Sequence, residues 1–113
     1  MNIDYNHKVF RAISNTETGE VDEETRFYYF QQGQVIWATY KGAQILFGTI
    51  TGIVSEDSSL DFAYQHINTN QQIRTGRCKS TPEIVANGKI RLHEIWRWTD
   101  GTEGQGKSII EEI

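Results

Sequence analysis

Apolar and polar residues alternate at a period of two along most of the chain, in segments broken by turn signals about every ten residues. The alternation predicts strands at residues 8–14, 25–31, 34–40, 44–54, 60–67, 72–85, 89–98 and 108–113. The second of these, TRFYYFQ, and the third, QVIWATY, are dense in aromatic and β-branched residues that suit a pleated, half-buried surface. The connections are short, apart from a carboxylate-rich loop over 15–24 and a glycine-rich one over 100–106. Parallel pairing needs crossovers of about a dozen residues or more, so hairpin-length links predict an antiparallel meander. Closing that meander removes its two free edges, and the expected architecture is a single all-β domain over 1–113. It is an antiparallel up-and-down barrel of about eight strands.

The register of the last hairpins decides which residues face inward. Asn87-Gly88 is a strong two-residue type I′ signal that pairs Ala86 with Lys89. Pro82 cannot donate to a ladder, and a one-residue bulge there shifts the pairing. Ser80 then lies opposite Glu94, Cys78 opposite Trp96 and Gly76 beneath Trp98, with Arg77, Lys79, His93 and Arg97 on the outer face. A three-residue tip at Thr69 to Gln71 aligns Leu60, Phe62 and Tyr64 with Ser80, Cys78 and Gly76, and turns His66 inward near a rim. The one local helical alternative is a single turn at Thr81-Pro82-Glu83.

Charge and composition narrow the function. Eleven Lys and Arg against fifteen Asp and Glu give a net charge of −4, and the densest basic group (Arg74, Arg77, Lys79, Arg91, Arg97) reads as a solvated outer sheet face. Nucleic-acid binding, which rests on clustered cations, is therefore not expected. No apolar stretch approaches the roughly 20 residues of a helical membrane span, and no signal peptide is visible. Cys78 is the only cysteine, which excludes an intramolecular disulfide and fits the cytoplasm. His7, His66 and His93 have no metal-ligand spacing, so neither a metal nor a cofactor is expected.

Three features could carry chemistry. Residues 101–108, GTEGQGKS, match the phosphate-loop pattern letter for letter, but the five residues that follow are too few for the helix whose amides would cradle phosphate. Glycines that permit a hairpin loop are the better reading. Glu94 sits among Ile90, Leu92, Trp96 and Trp98 on a core-like face, where an unpaired carboxyl has a raised pKa and can serve as an acid or a polar anchor. The alternative is a structural glutamate satisfied by Ser80, Thr81 or a backbone amide, or one sitting at a wet barrel end. Cys78 reads as a small buried hydrophobe. Trp37, Trp96 and Trp98, with Tyr29, Phe62 and Tyr64, supply an aromatic interior, as packing or as the wall of a site for a flat ligand. Gly48, Gly52 and Gly76 either leave room for such a ligand or permit strong coiling of the strands.

From Gly76-Arg77-Cys78-Lys79-Ser80-Thr81-Pro82-Glu83 through Asn87-Gly88-Lys89-Ile90-Arg91-Leu92-His93-Glu94-Ile95-Trp96-Arg97-Trp98, the chain resembles small bacterial proteins often labelled N-acetylglutamate synthase. The label implies acetyl-coenzyme A on a mixed α/β fold, with a Gln/Arg-x-x-Gly-x-Gly/Ala turn opening a helix. Neither feature is in this sequence, so that activity is not expected. The meander is also similar to the calycin barrels, lipocalins among them, in architecture.

Three functions follow. The first is a non-catalytic barrel that binds a small apolar or aromatic ligand through Tyr64, Cys78, Ser80, Glu94, Trp96 and Trp98. The second is an isomerase, lyase or hydrolase using Glu94 as acid or base. The third is an interaction protein with a solid core, self-associating through exposed aromatics such as Tyr28, Phe30 or Phe47.

Overall fold

The computed structural model describes residues 2–113 and contains eight strands. They are β1 (Lys8–Asn15), β2 (Arg26–Gln32), β3 (Val35–Gly42), β4 (Ile45–Val54), β5 (Leu60–Asn68), β6 (Ile73–Ile84), β7 (Ile90–Trp98) and β8 (Gln105–Glu112). Each pairs antiparallel with its sequence neighbours, and β1 pairs with β8 to close the barrel. The predicted all-β meander and its closure are what the structure shows.

Closure includes one irregularity. The β1–β8 register shifts between Ala12 and Ser14, so Ile13 bulges outward. Beyond the bulge Asn15 pairs with the buried Ser108 and shares its inward face. Ending β1 at Ser14, as the sequence pattern does, misses this residue.

The inward register of β5, β6 and β7 is as predicted, but one cause differs. The β6–β7 ladder runs without a break from Gly76↔Trp98 through Ser80↔Glu94 to Ile84↔Ile90, so there is no bulge at Pro82. The odd residue lies in the turn instead. The Gly88 amide donates to the Val85 carbonyl, and the Val85 amide to the Lys89 carbonyl, around the three residues 86–88, with Gly88 at φ 81°. This is a three-residue hairpin with a glycine bulge rather than a two-residue type I′ turn. Pro82 is tolerated because the β5 partnership of β6 ends at Leu60↔Ser80, which leaves it a neighbour on one side only. Residues 81–83 are strand, not helix. The β5–β6 tip has the predicted three residues, with Gln71 at φ 61°.

An up-and-down barrel places alternate loops at opposite ends. At one end the N-terminal segment folds inward as a plug: Ile3 and Tyr5 are buried, the Ile3 amide donates to Ser58 Oγ at 3.0 Å, and the Tyr5 hydroxyl donates to the Ser58 carbonyl. The other end carries the long β1–β2 loop, the β5–β6 tip and the β7–β8 loop. Residues 101–108 form part of that last loop and the start of β8, with Gly101 and Gly104 at positive φ and no helix after them.

Aromatic rings fill the interior. Phe10 meets Tyr29 edge-on at 5.0 Å and Phe27 stacks on Tyr40 at 5.2 Å. Trp37 departs from expectation: it is exposed on the outer face and stacks on Phe30. The strand glycines do not leave room for a ligand. Tyr40 lies over Gly48, Phe62 over Gly52, and Tyr64 over Gly76, each occupying the space where a Cβ would stand. At Gly52 the Asp61 carbonyl oxygen would also lie 2.5 Å from that Cβ, and backbone cannot yield as a flexible side chain can. Gly52→Ala is expected to lower stability by about 1–3 kcal/mol, read as a lower denaturant midpoint with an unchanged slope.

Candidate functional site

Strand alternation aims Tyr64 and His66 of β5, Gly76, Cys78 and Ser80 of β6, and Glu94, Trp96 and Trp98 of β7 toward one axis. The structure brings all six sequence-predicted binding residues into one neighbourhood. Tyr64, Cys78, Glu94, Trp96 and Trp98 line a cavity, and Ser80 stands behind Glu94.

Glu94 is 8 % exposed, with a serine directly opposite on each flanking strand. Ser80 Oγ donates to its Oε2 at 2.7 Å, and Ser108 Oγ to its Oε1 at 3.0 Å. Burial pushes the Glu94 carboxyl up to about 7, against the opposing pull of these hydroxyls. Of the partners expected for Glu94, Ser80 is one. Ser108 was missed because the sequence offers no register for β8 after a glycine-rich loop. Cys78 lies 3.9 Å from Ser80 Oγ, and burial, then the Glu94 charge, push its thiol well above the ordinary range, which makes it a poor nucleophile. Burial also raises the Tyr29 hydroxyl, and it has no hydrogen-bond partner among the described residues.

The aromatic wall is continuous. Trp96 and Trp98 meet at 5.4 Å and Trp98 and Tyr64 at 6.0 Å, both edge-on, while Tyr64 stacks on His66 at 6.5 Å. Trp96 Nε1 donates to Asn15 Oδ1 at 3.0 Å, and Asn15 Nδ2 donates to the Val21 carbonyl at 3.1 Å. Asn15 thus ties the wall to the β1–β2 loop, which Thr16 anchors through reciprocal hydrogen bonds with the Lys107 backbone.

That loop lies across the mouth. Gly19, Glu20 and Val21 line the cavity, whose volume is about 50 Å³. A water needs about 10–15 Å³ on that measure, so the space holds a few waters, whereas drug-sized ligands occupy roughly 300–1,000 Å³. With the loop in place, side chains fill most of the interior.

Glu20 is a further residue that sequence reasoning missed. Its Oε1 accepts from His66 Nε2 at 2.8 Å, its Oε2 from Arg74 Nη1 at 2.7 Å, and Asn68 Nδ2 reaches both oxygens at 3.3 and 3.1 Å. A carboxylate only accepts, so His66 carries its proton on Nε2, and Nδ1 accepts from the Tyr40 hydroxyl at 2.7 Å. Burial holds His66 below the ordinary histidine range even though Glu20 pulls the other way. Arg74 is not part of a solvated outer face. It pairs with His66 across β5–β6, which turns it inward, while Arg77, Lys79, Arg97 and His93 point outward. The available signal was the distance in sequence from Arg74 to Cys78, an even number of residues along one strand.

Over residues 3–113 the sequence matches the family described as Avidin-like protein. The chain belongs to the avidin-like family. Neither the curated proteins nor the solved structures yield a match. An avidin-like chain on a closed eight-stranded antiparallel barrel has a calycin-like architecture, as the meander implied.

The raised carboxyl gives a pH prediction for this avidin-like barrel. Glu94 titrates at about 7 when folded, against an ordinary value of 4.5, so between those pH values the folded chain holds a proton that the unfolded chain has lost. The stability Glu94 contributes is full below about 4.5, falls as pH rises, and is gone above about 7. Glu94→Gln keeps both serine contacts without titrating. The stability difference, variant minus wild type, is expected to grow in the variant's favour by up to about 3 kcal/mol across that window, measured by denaturant unfolding at several pH values.

Proposed function

We propose that this barrel binds a small, partly aromatic or apolar ligand at its mouth end, under the β1–β2 loop, without catalysing a reaction on it. The observation that carries this reading is the pairing of one polar floor with an aromatic wall: Glu94 between two serines, faced by Tyr64, Trp96 and Trp98. Sites for small molecules are mostly apolar, with a few convergent polar groups, and this arrangement has that character. Membership of the avidin-like family also supports small-ligand binding. The ligand enters when residues 17–22 lift, since Gly19, Glu20 and Val21 hold the space it would take. Against an acid or base role for Glu94, both of its oxygens already accept from serines, and the neighbouring thiol is a weak nucleophile.

Trp37→Phe leaves Trp96 and Trp98 as the only tryptophans, both in the cavity wall and both excited selectively at the red edge of the indole band. A panel of small aromatic and alicyclic compounds titrated into that variant is expected to quench its fluorescence saturably with at least one member. A linear, collisional response to every member, with the loop intact and in Glu20→Ala, would reject the reading.

The outer face favours self-association as a second property. Val35 of β3 and Ile53 of β4 are cross-strand partners, 50 % and 62 % exposed; Trp37 and Phe47 are exposed on the same two strands and Tyr28 on the adjoining β2, while Phe30 is half-buried. A stripe of this kind commonly marks an interface. Light scattering is expected to give a multiple of the chain mass, reduced to one chain by Val35→Lys with Ile53→Lys; a wild-type monomer would exclude it.

A further inference from the structure

The mouth contains a finished receptor for a carboxylate. His66 Nε2, Asn68 Nδ2 and Arg74 Nη1 converge on both oxygens of Glu20, and each is held by a partner other than Glu20. The Tyr40 hydroxyl orients His66. Asn68 Nδ2 also donates to Gln72 Oε1 at 2.9 Å, and Asn68 Oδ1 accepts from the amides of Asn70 and Gln72 at 3.0 Å. Arg74 Nε donates to Asp100 Oδ2 at 2.6 Å, and its guanidinium lies over the Trp98 ring, 3.8 Å from the centroid. All three donors sit on β5 and β6, whereas Glu20 comes from a loop between strands. Donors fixed independently of their acceptor are preorganised, and lose little freedom when the acceptor is exchanged.

Resting on the binding reading above, we propose that His66, Asn68 and Arg74 form a carboxylate subsite that Glu20 fills from within the chain. The barrel's ligand then carries a carboxylate and displaces Glu20, and with it the loop. Two charges govern the exchange. Asp100 stays on Arg74 throughout, and an incoming carboxylate replaces the charge that Glu20 removes, so the local balance is unchanged. A planar group with two oxygens suits this donor set, because one oxygen takes His66, the other takes Arg74, and Asn68 bridges them. The subsite adjoins Trp98, so an acid with an apolar or aromatic body would lay that body against the tryptophan wall beneath the lifted loop.

Two experiments separate this proposal from the reading on which it rests. Glu20→Ala removes the side chain beyond Cβ, a CH2–COO− unit equivalent to acetate, and propanoate carries the same carboxylate on one further carbon. Millimolar propanoate is expected to raise the melting temperature of that variant by about 4 °C or more over equal chloride, and propanamide to have no such effect. Adding Arg74→Met should abolish the rescue, and Glu20→Gln, whose subsite is already filled, should show none. In Trp37→Phe with Glu20 intact, hydrocinnamate is expected to bind about tenfold or more tightly than hydrocinnamamide, with the preference lost in Arg74→Met. Equal effects of acid and amide in both experiments, or no rescue and no preference, would overturn the carboxylate subsite while a saturable quench keeps the binding barrel. Rescue by propanoate without any hydrocinnamate binding would uphold the subsite and reject the larger cavity. The fluorescence arm does not require Glu20→Ala to fold.

Discussion

The ladder between β1 and β8 is the contact that turns a meander into a vessel. Without it the sheet has two open edges and no enclosed axis; with it, every second side chain on eight strands competes for one narrow space. A closed barrel of this strand number is just wide enough for side chains to fill, so the contents of the interior are decided residue by residue. Ile13 bulges at this seam, and through that bulge Asn15 turns inward to meet Trp96 and the loop. The same closure brings Ser108 beside Glu94, which completes a buried polar cluster in the middle of the core.

From the plug to the mouth the interior changes character in steps. Near the plug it is aromatic and apolar, with Tyr5, Phe10 and Tyr29 packed together. Midway stands Glu94, whose carboxyl is kept close to neutrality by burial and steadied by two hydroxyls. At the mouth there is full charge: Arg74 between Glu20 and Asp100, with hydrogen bonds from Arg74 and the Thr102 amide holding the Asp100 carboxyl down at about 2 despite the burial that opposes them. Polarity rises toward the opening, where the cost of burying a charge is smallest.

How far this was legible depends on what each residue's position obeys. Inward residues on strands follow parity, so Ser80 with Glu94, Cys78 with Trp96 and Gly76 with Trp98 could be paired from sequence. Turn chemistry was less readable. Asn87-Gly88 fits two hairpins that differ by one residue, and the correct pairing was reached by placing at Pro82 an irregularity that lies at Gly88. Trp37 was assigned inward on its type, although Ile36 and Ala38 beside it hold the inward positions and leave it the outer face. Glu20 could not be found this way, because a loop residue obeys no period. Its place is fixed by three side chains, on β5 and β6, that lie some fifty residues away.

The buried Tyr5 gives the barrel a handedness in time as well as in space. With one end stopped, the molecule is a thimble and not a tube, and the route left for the proposed ligand is the end under the β1–β2 loop. In the binding reading proposed above, arrival and departure share that opening, and a loop held more firmly by Glu20 slows arrival. For such a ligand a firmer loop also lowers affinity, because the contacts Glu20 makes in the closed state are given up on entry.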